Sequence, residues 1–232
     1  MQSELPVIDV IIPAYNEEQS IGLVLNDIPQ GLVREVVVVN NNSTDNTRGS
    51  AEAGGATVLD EKKQGYGSAC LKGIEYLRSK AEQPDIVVFL DADHSDHPEE
   101  MAKVVEPIRT QQMDMVIGSR ALGNREKGAM MPQQVFGNWL ATRLLRLIYK
   151  VRYTDLGPFR AIRYDKLIAL GMCDPNYGWT VEMQIKAAKQ QLRTCEVPVT
   201  YRKRVGVSKV SGTVKGTVGA GYKIITTLFK YW

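Results

Sequence analysis

The chain has 232 residues, of which 44% are hydrophobic and 24% charged, as is ordinary for a soluble globular protein with one substantial α/β core. No window of 18 residues is both apolar and free of charge, so we expect no membrane-spanning helix. The net charge of +3 conceals an asymmetry, because residues 1–118 hold 9 Lys and Arg against 20 Asp and Glu, whereas residues 119–232 hold 20 against 6. The basic half indicates an anionic partner, either nucleic acid, a membrane surface or a phosphorylated lipid, unless it is only a solvated face.

The cysteines and the N-terminus point to the cellular compartment. The three cysteines are far apart, with no CxxC pair and no metal-ligand spacing, which favours a reducing compartment over a disulfide scaffold. The first ten residues lack the basic and apolar regions of a signal peptide. We therefore expect a cytoplasmic protein.

Strand and helix patterns alternate over the first 120 residues. Apolar runs predict strands at residues 7–12, 35–39, 56–59, 85–90 and 113–117. Helical spacing predicts helices at residues 17–28, 44–53, 67–80 and 98–109, the second of them capped by Ser43 or Thr44. Helices of this length between strands predict a mostly parallel sheet flanked by helices, with right-handed crossovers.

Polar segments follow four of these strands: AYNEE, NNNSTDNT, DADHSD and GSR. The carboxyl ends of parallel strands share one edge of a sheet, where ligands of such folds bind. The four segments therefore predict a single site.

The most informative of these segments places Asp91 and Asp93 directly after a run of strand formers. Hard divalent cations prefer oxygen ligands and bridge carboxylates to phosphates. The pair predicts a Mg²⁺ or Mn²⁺ site that faces a diphosphate. The alternative is an acidic turn in which Ser95 or Asp96 caps a helix.

The pattern changes after residue 120. A Gly-rich, charged loop covers residues 121–132, and an amphipathic helix is predicted at 134–150. Short strands are predicted at 159–162 and 195–201, and helices at 165–170 and 180–190, the latter capped by Thr180. A basic tail ends in an apolar helix near residues 222–229.

The motifs together resemble glycosyltransferase family 2, which has the GT-A fold of nucleotide-diphospho-sugar transferases. The matching segments are IIPAYNEE (11–18), VVNNNSTDNT (38–47), QGYGSA (64–69), LDADHSDHPE (90–99) and GSR (118–120). DLGPFRAIR (155–163), Glu182, EVPVTYRKR (196–204) and GVSK (206–209) resemble the branch of dolichyl-phosphate mannose synthases and other polyprenyl-phosphate glycosyltransferases. The resemblance implies one catalytic domain over residues 1–212, with a donor half (1–120), an acceptor half (121–212) and a basic amphipathic tail (213–232).

The resemblance also implies roles on the donor side. Asp93 would ligate the metal, and Asp91 would contact the metal or the ribose. The residues implied in nucleotide-sugar binding are Pro13, Ala14, Tyr15, Glu17, Asn41, Gly65, Gly67, Asp91, Ala92 and Arg120. Asn41 stands where the family often has an Asp that contacts the base, and its amide both donates and accepts, so the identity of the base is left open.

On the acceptor side, the basic cluster implied in binding a phosphate consists of Arg202, Arg204, Ser208 and Lys209. Arg can bind phosphate bidentately and Lys acts as a point charge. Glu182 and Asp155 are candidates for a general base or an orienting group. The alternatives are a charge on a helix surface for Glu182 and a turn cap for Asp155.

The resemblance implies an inverting, metal-dependent hexosyltransferase that moves mannose or glucose from a nucleotide-diphosphate sugar, GDP-mannose or UDP-glucose, to polyprenyl phosphate. The basic amphipathic segments would place it peripherally at the cytoplasmic membrane face, on the lipid itself or on a membrane partner protein. The alternatives are transfer to a soluble or lipid-linked hydroxyl, and nucleotide-sugar binding without turnover. No nucleic-acid module is recognised, and the oligomeric state, a homo-oligomer included, is left open.

Overall fold

A computed structural model describes residues 5–206 and 214–232, so the predicted acceptor residues Ser208 and Lys209 lie outside the described chain. One sheet of seven strands contains both the donor and the acceptor halves. Its strands are β1 (Ile8–Ala14), β2 (Glu35–Asn40), β3 (Thr57–Asp60), β4 (Ile86–Phe89), β5 (Met115–Ser119), β6 (Arg160–Arg163) and β7 (Thr194–Pro198), in the spatial order β3-β2-β1-β4-β6-β5-β7. Only β6 runs antiparallel to its neighbours, which confirms a mostly parallel sheet.

Helices cover both faces of the sheet, as predicted. They are α1 (Ile21–Asp27), α2 (Thr47–Ala53), α3 (Tyr66–Ser79), α4 (Met101–Thr110), α5 (Pro132–Tyr149), α6 (Tyr164–Leu170), α7 (Trp179–Lys189) and α8 (Val214–Lys230), with a 3₁₀ turn at Pro98–Glu100 before α4.

Several helix starts differ from prediction: α8, predicted near 222–229, begins at Val214, and α1, α2 and α7 also differ. The turn before α1 holds Glu17, whose backbone N–H donates to Thr47 Oγ1 at 2.7 Å. Neither Ser43 nor Thr44 caps α2, which follows Asn46. Gly178, not Thr180, precedes α7. For α1 and α2 the predicted helix start is instead a polar loop at the site.

The sheet is buried on both faces because its central strands are continuous apolar runs. Every residue of β1 and β4 is buried. The core on one face of the sheet includes residues of α3, α5, α7 and α8, and the core on the other includes residues of α1 and α4. Within the first of these, Trp179 packs edge-on against Phe89 with ring centroids 6.0 Å apart.

The last helix packs on the domain. Leu228 of α8 is fully buried, and its carbonyl accepts a hydrogen bond of 2.6 Å from the Tyr149 hydroxyl of α5. α8 therefore belongs to the same body as the sheet. No helix in the described residues is long and apolar enough to cross a membrane.

Candidate active site

The carboxyl ends of β1, β2 and β4 lie side by side and form the floor of the candidate site. β1 pairs with both neighbours, so Pro13 and Ala14 come beside the end of β2, and the segment after β4 lies on their other side. This brings together four of the predicted groups: the Pro13–Tyr15 segment, Asn41, Asp91 and Asp93. Their meeting point is the one predicted from the order of strands and polar segments.

One cavity among the described residues, which we call the donor cavity, has a volume of about 390 Å³. It is lined by Pro13, Ala14, Tyr15, Glu17, Asn41, Gln64, Gly65, Tyr66, Asp91, Ala92, Asp93, Asn176, Tyr177 and Arg204. Ten predicted residues are among them: eight from the nucleotide-sugar set, Asp93, and Arg204 from the acceptor set. Gln64, Tyr66, Asn176 and Tyr177 were not predicted, and the last two come from a loop that lies outside all the motifs.

Asn41 lines this cavity with its amide already engaged. Its Nδ2 donates to the carbonyls of Glu61 and Lys63 at 3.1 and 2.8 Å, and its Oδ1 accepts from Gly65 N–H at 2.8 Å. All three bonds go to the backbone of the 61–65 loop, which forms one wall of the cavity. The geometry supports Asn41 as the residue that shapes this wall.

The two predicted glycines serve different purposes. Gly65 lines the donor cavity at a backbone φ of +146°, a conformation that favours glycine. Gly67 does not line it. A Cβ at Gly67 would lie 1.9 Å from the carbonyl oxygen of Asp174, so this glycine allows two backbones to pack closely. The expectation that Gly67 approaches the donor is corrected accordingly.

The carboxylates of Asp91 and Asp93 lie at the mouth of the donor cavity. Asp93 Oδ1 accepts hydrogen bonds from the N–H and hydroxyl of Ser95 at 2.9 and 2.5 Å. Asp91 Oδ1 is buried without a hydrogen-bond partner among the described residues, as are both carboxylate oxygens of Asp96. Burial, with the charge of Asp93 beside it, raises the pKa of Asp91 to about 7.

These buried, unpartnered oxygens fit a divalent cation, which is the natural partner for uncompensated carboxylates. No cluster of three acidic, His or Cys side chains is arranged to hold a metal within the described residues. A cation here would take the remaining ligands from diphosphate oxygens and water, as Mg²⁺ commonly does. The sequence offers Asp96 only as a helix cap. In the structure its carboxylate is buried near Asp91, and the pKa of Asp96 is raised, first by burial and second by the charge of Asp91.

A second cavity, which we call the acceptor cavity, has a volume of about 580 Å³. Its lining comes mainly from the 128–131 loop, α5, α8 and the 201–206 segment: Asp91, Asp93, Arg120, Gly128, Ala129, Met130, Met131, Gln133, Gln134, Gly137, Asn138, Leu156, Thr180, Tyr201, Lys203, Arg204, Gly206, Gly221 and Ile224. Asp91, Asp93 and Arg204 line both cavities, which therefore meet at the acidic pair.

Arg204 stands at this junction. Its guanidinium lies 2.7 Å from Glu17 Oε1 and 3.2 Å from Asp93 Oδ2. It thereby links the turn after β1 to the segment after β4, and its positive charge faces the space where a diphosphate and an acceptor phosphate would both lie.

Three cations line the acceptor cavity, and the sequence predicted only part of this arrangement. Arg120, expected at the nucleotide, lines the acceptor cavity instead. Arg202, expected at the acceptor phosphate, lines neither cavity, since it donates to the carbonyls of His94 and Asp96 and to Asp27 Oδ2. Lys203, which was not predicted, lines the acceptor cavity in its place.

Asp155 holds Arg120 in position. The Arg120 Nε and Nη2 groups donate to its two carboxylate oxygens at 2.8 and 2.6 Å, and the Arg120 backbone N–H donates at 2.7 Å. Although burial would raise the pKa of Asp155, the Arg120 guanidinium holds it below its usual value. A buried carboxylate with a bidentate partner orients that partner, and its geometry does not support a role as general base.

Glu182 is not brought to either cavity, which corrects the expectation of an acceptor-side base. The carboxylate is fully buried and accepts hydrogen bonds from Asp174 N–H at 2.7 Å, the Tyr231 hydroxyl at 2.7 Å and Cys173 N–H at 3.1 Å. Lys186 Nζ lies 2.8 Å away. Burial alone would raise the pKa of Glu182, but these donors lower it to about 2. Glu182 is therefore charged at neutral pH, and it holds the backbone at Cys173 and Asp174 in place.

Comparison with known proteins agrees with this geometry. The family model described as glycosyl transferase family 2 matches residues 9–171. An uncharacterized glycosyltransferase of Mycobacterium tuberculosis is 34% identical over 213 residues, covering 91% of this chain and 93% of the relative. The undecaprenyl-phosphate mannosyltransferase of Micrococcus luteus is 31% identical over 218 residues, covering 89% and 88%.

Among solved structures, glucosyl-3-phosphoglycerate synthase from Mycobacterium tuberculosis, in complex with Mn²⁺, uridine diphosphate and phosphoglyceric acid, is similar in fold. The TM-score is 0.76 at 24% identity, covering 97% of this chain and 78% of that one. This similarity confirms the GT-A fold.

Proposed function

The chain belongs to glycosyltransferase family 2, and on that premise we propose that it transfers a hexose, mannose or glucose, from a nucleotide-diphosphate sugar to polyprenyl phosphate. One observation carries the choice of a phosphate acceptor. Among the described residues that line the acceptor cavity, three are cations, and the only carboxylates are Asp91 and Asp93, which also face the donor. These cations favour an anionic acceptor although Arg120 and Arg204 are each paired with a carboxylate, and the lining offers no separate carboxylate to deprotonate a hydroxyl.

The donor would lie in the donor cavity with its diphosphate at the acidic pair. Asp91 and Asp93 would hold a Mg²⁺ or Mn²⁺ ion, which when bound would neutralise the negative charge that develops on the leaving nucleoside diphosphate. The Mn²⁺ and uridine diphosphate in the similar structure support a divalent metal and a pyrimidine donor such as UDP-glucose, whereas the mannosyltransferase relative supports mannose as the sugar. Arg204, which lines the donor cavity beside Asp93, would contact the diphosphate.

The acceptor phosphate would be bound by Arg120, Lys203 and Arg204. A phosphate monoester already carries between one and two negative charges at pH 7, because its second pKa is about 6. It needs orientation by positive charge more than it needs a base. Asp155 contributes by fixing the position of the Arg120 guanidinium through two hydrogen bonds.

A lipid acceptor also requires access to a membrane, and α5 offers a surface for it. One face of this helix lines the acceptor cavity through Gln134, Gly137 and Asn138. The stripe beside it leaves Phe136 61% and Trp139 56% exposed, their rings 5.9 Å apart.

Further along the same stripe, the exposed polar side chains are all basic: Arg143, Arg146 and Lys150. No acidic residue occurs between residues 127 and 154. Aromatic and basic side chains on one exposed stripe are typical of helices that lie in the interface of an anionic bilayer. We infer that this face seats the enzyme peripherally at the cytoplasmic membrane face, with the acceptor cavity open toward the lipid.

A second candidate is transfer to a small soluble phosphorylated acceptor. The same cations would bind any phosphate monoester, and the similar structure holds phosphoglyceric acid. The exposed aromatic stripe on α5 favours the lipid, because a soluble acceptor gives no reason for it.

The test is a panel assay of the purified protein with GDP-mannose, UDP-glucose and related donors, with Mn²⁺, Mg²⁺ or EDTA. Each donor is offered to polyprenyl phosphate in vesicles of phosphatidylcholine and phosphatidylglycerol, to phosphoglyceric acid, and to no acceptor. We expect metal-dependent transfer to polyprenyl phosphate, abolished in Asp93→Asn. Transfer to phosphoglyceric acid alone, or undiminished transfer in EDTA, would contradict the proposal.

Vesicle binding tests the membrane face separately. Trp139→Ser should weaken sedimentation with vesicles containing phosphatidylglycerol, whereas Leu23→Ser, at a 46% exposed apolar residue of α1, should not. Equal binding by both variants and the parent would remove α5 from the membrane contact.

A further inference from the structure

The acceptor cavity has a wall made by the last helix of the chain. Gly221 and Ile224 of α8 line the cavity together with Gln134 and Gly137 of α5. The position of α8 therefore affects the shape of the acceptor cavity. The buried Leu228 and the hydrogen bond from the Tyr149 hydroxyl to the Leu228 carbonyl hold α8 in part, and two buried carboxylates hold it as well.

The first of these carboxylates is Asp174, which is 3% exposed. Its Oδ2 lies 2.9 Å from Lys223 Nζ of α8, and its Oδ1 accepts from Asn176 N–H at 2.8 Å. Space around Asp174 Oδ2 is tight, since a Cβ at Gly178 would lie 2.5 Å from it. A buried carboxylate that loses its cation cannot easily turn toward water here, so the ion pair constrains α8.

The second carboxylate is Glu182. It accepts a hydrogen bond from the hydroxyl of Tyr231, the residue that directly follows α8. The carbonyl of Tyr231 accepts a further bond of 2.9 Å from Lys189 Nζ. Lys223 and Tyr231 are eight residues apart, so the two contacts hold α8 at two points about two helical turns apart. Two such points fix the register of the helix as well as its distance from the domain.

Asp174 belongs to a segment that also walls the donor cavity, and Glu182 of α7 accepts hydrogen bonds from the Cys173 and Asp174 N–H groups of that segment. We call residues 173–178 the linking segment. Its Asn176 and Tyr177 line the donor cavity, and its Pro175 carbonyl accepts a bond of 2.9 Å from Ser68 N–H in α3. The absence of a Cβ at Gly67 lets this segment pack directly on α3. One side of the segment thus forms part of the donor site, and the other side holds the acceptor wall.

We propose that Lys223 and Tyr231 are positioning residues that hold α8, the acceptor wall, in register with the linking segment at the donor cavity. They touch neither substrate, and they act through Asp174 and Glu182. Because the linking segment is held to α3 by separate contacts at Ser68 and Gly67, loss of either residue should disturb acceptor binding while donor binding persists. The kinetic consequence rests on the proposed function, since it presumes that the cavity beside α8 receives the acceptor.

The test compares Lys223→Met and Tyr231→Phe with the parent. We expect Lys223→Met to raise the KM for polyprenyl phosphate by about tenfold or more, because Asp174 is left buried without its cation. Tyr231→Phe should have a smaller effect in the same direction, since Glu182 keeps its other donors. The Kd for the nucleotide with Mn²⁺, measured by calorimetry, should stay within about threefold of the parent, and Lys223→Arg should recover part of the loss.

Lys72→Met is the matched control. Lys72 makes an ion pair of the same length, 2.9 Å, but its partner Glu75 is 71% exposed, so neither KM nor Kd should change. A KM for the acceptor that stays within twofold of the parent in both α8 variants would overturn the proposal. So would an equal loss of donor and acceptor affinity, which would indicate general destabilisation.

Amide hydrogen exchange separates this inference from the proposed function. In Lys223→Met, residues 221–231 should exchange faster than in the parent, while β1 and β4 should not. If the parent transfers to no polyprenyl phosphate, the proposed function fails, and faster exchange confined to α8 and the linking segment would still support the positioning role. Unchanged exchange in α8 would refute it whatever the acceptor.

Discussion

Replacing Asn41 by Asp tests how the donor cavity is built. The Asn41 amide donates two hydrogen bonds to carbonyls of the 61–65 loop and accepts one from it. A carboxylate can keep the bond from Gly65 N–H, but it cannot donate, so it would face the carbonyls of Glu61 and Lys63 with like partial charge. Asn41 is only 5% exposed, which leaves little water to compensate.

The magnitude follows from these contacts. Leaving a buried polar group unsatisfied costs about 1–3 kcal/mol, and here two carbonyls lose their donor. Because the 61–65 loop is at the surface and can move away, we expect about 2–3 kcal/mol of this to appear as weaker nucleotide binding, which is roughly a 30- to 150-fold rise in Kd.

Calorimetry with UDP and with GDP, each with Mn²⁺, measures the effect. A loop-shaping role predicts that both affinities fall by similar factors, whereas direct reading of the base predicts a change in their ratio. Asn42→Asp, which adds the same charge at an exposed neighbouring position, is the control and should bind as the parent does. Unchanged affinities in Asn41→Asp would refute the loop-shaping argument.

Three further outcomes follow from the contacts of the site. Arg204→Met should weaken both nucleotide binding and transfer by roughly 10- to 100-fold, since the Arg204 side chain lines both cavities. Lys203 lines only the acceptor cavity of the two, so Lys203→Met should impair transfer and leave the nucleotide Kd unchanged. Glu182→Gln should lower the free energy of unfolding at pH 7 by about 3 kcal/mol, because the folded pKa of about 2 lies below the ordinary 4.5. A carboxylate whose pKa is lower in the folded than in the unfolded protein stabilises the fold at pH values above its unfolded pKa. The difference in free energy of unfolding between parent and variant, measured by urea titration, should therefore shrink as the pH falls from about 4.5 toward 2. Gly67→Ala should lower the melting temperature and nucleotide affinity, since its Cβ would meet the Asp174 carbonyl at 1.9 Å; Gly22→Ala on α1, with open space around it, should be neutral or slightly stabilising.

The sequence by itself was enough to determine the sheet and the donor side. Runs such as residues 36–39 and 86–90 are apolar throughout because a parallel sheet is buried on both faces, and the signal lies in neighbouring residues. The position of a site at the carboxyl ends of β1, β2 and β4 then follows from chain direction alone. For this reason the sequence predicts Pro13, Tyr15 and the acidic pair at one edge of the sheet, and all of them line one cavity.

The acceptor side depended on contacts that the sequence does not reveal. Glu182, Asp155 and Arg202 have the residue types of an active site, yet each is engaged by partners far away in the chain: Glu182 by Tyr231, Asp155 by Arg120 and Arg202 by Asp27. The short strand β6 supplied no hint that it would enter between β4 and β5 in the opposite direction.

The physical reason is that a charged side chain acquires its role from what neutralises it. A carboxylate that accepts several buried hydrogen bonds has a low pKa and holds structure, whereas a buried oxygen without a partner, such as Asp91 Oδ1, is available to a cation. The apolar pattern of a strand or helix is visible in residues that are neighbours in the sequence. The partners of a charged side chain are distant in the sequence, and only the tertiary fold brings them to it.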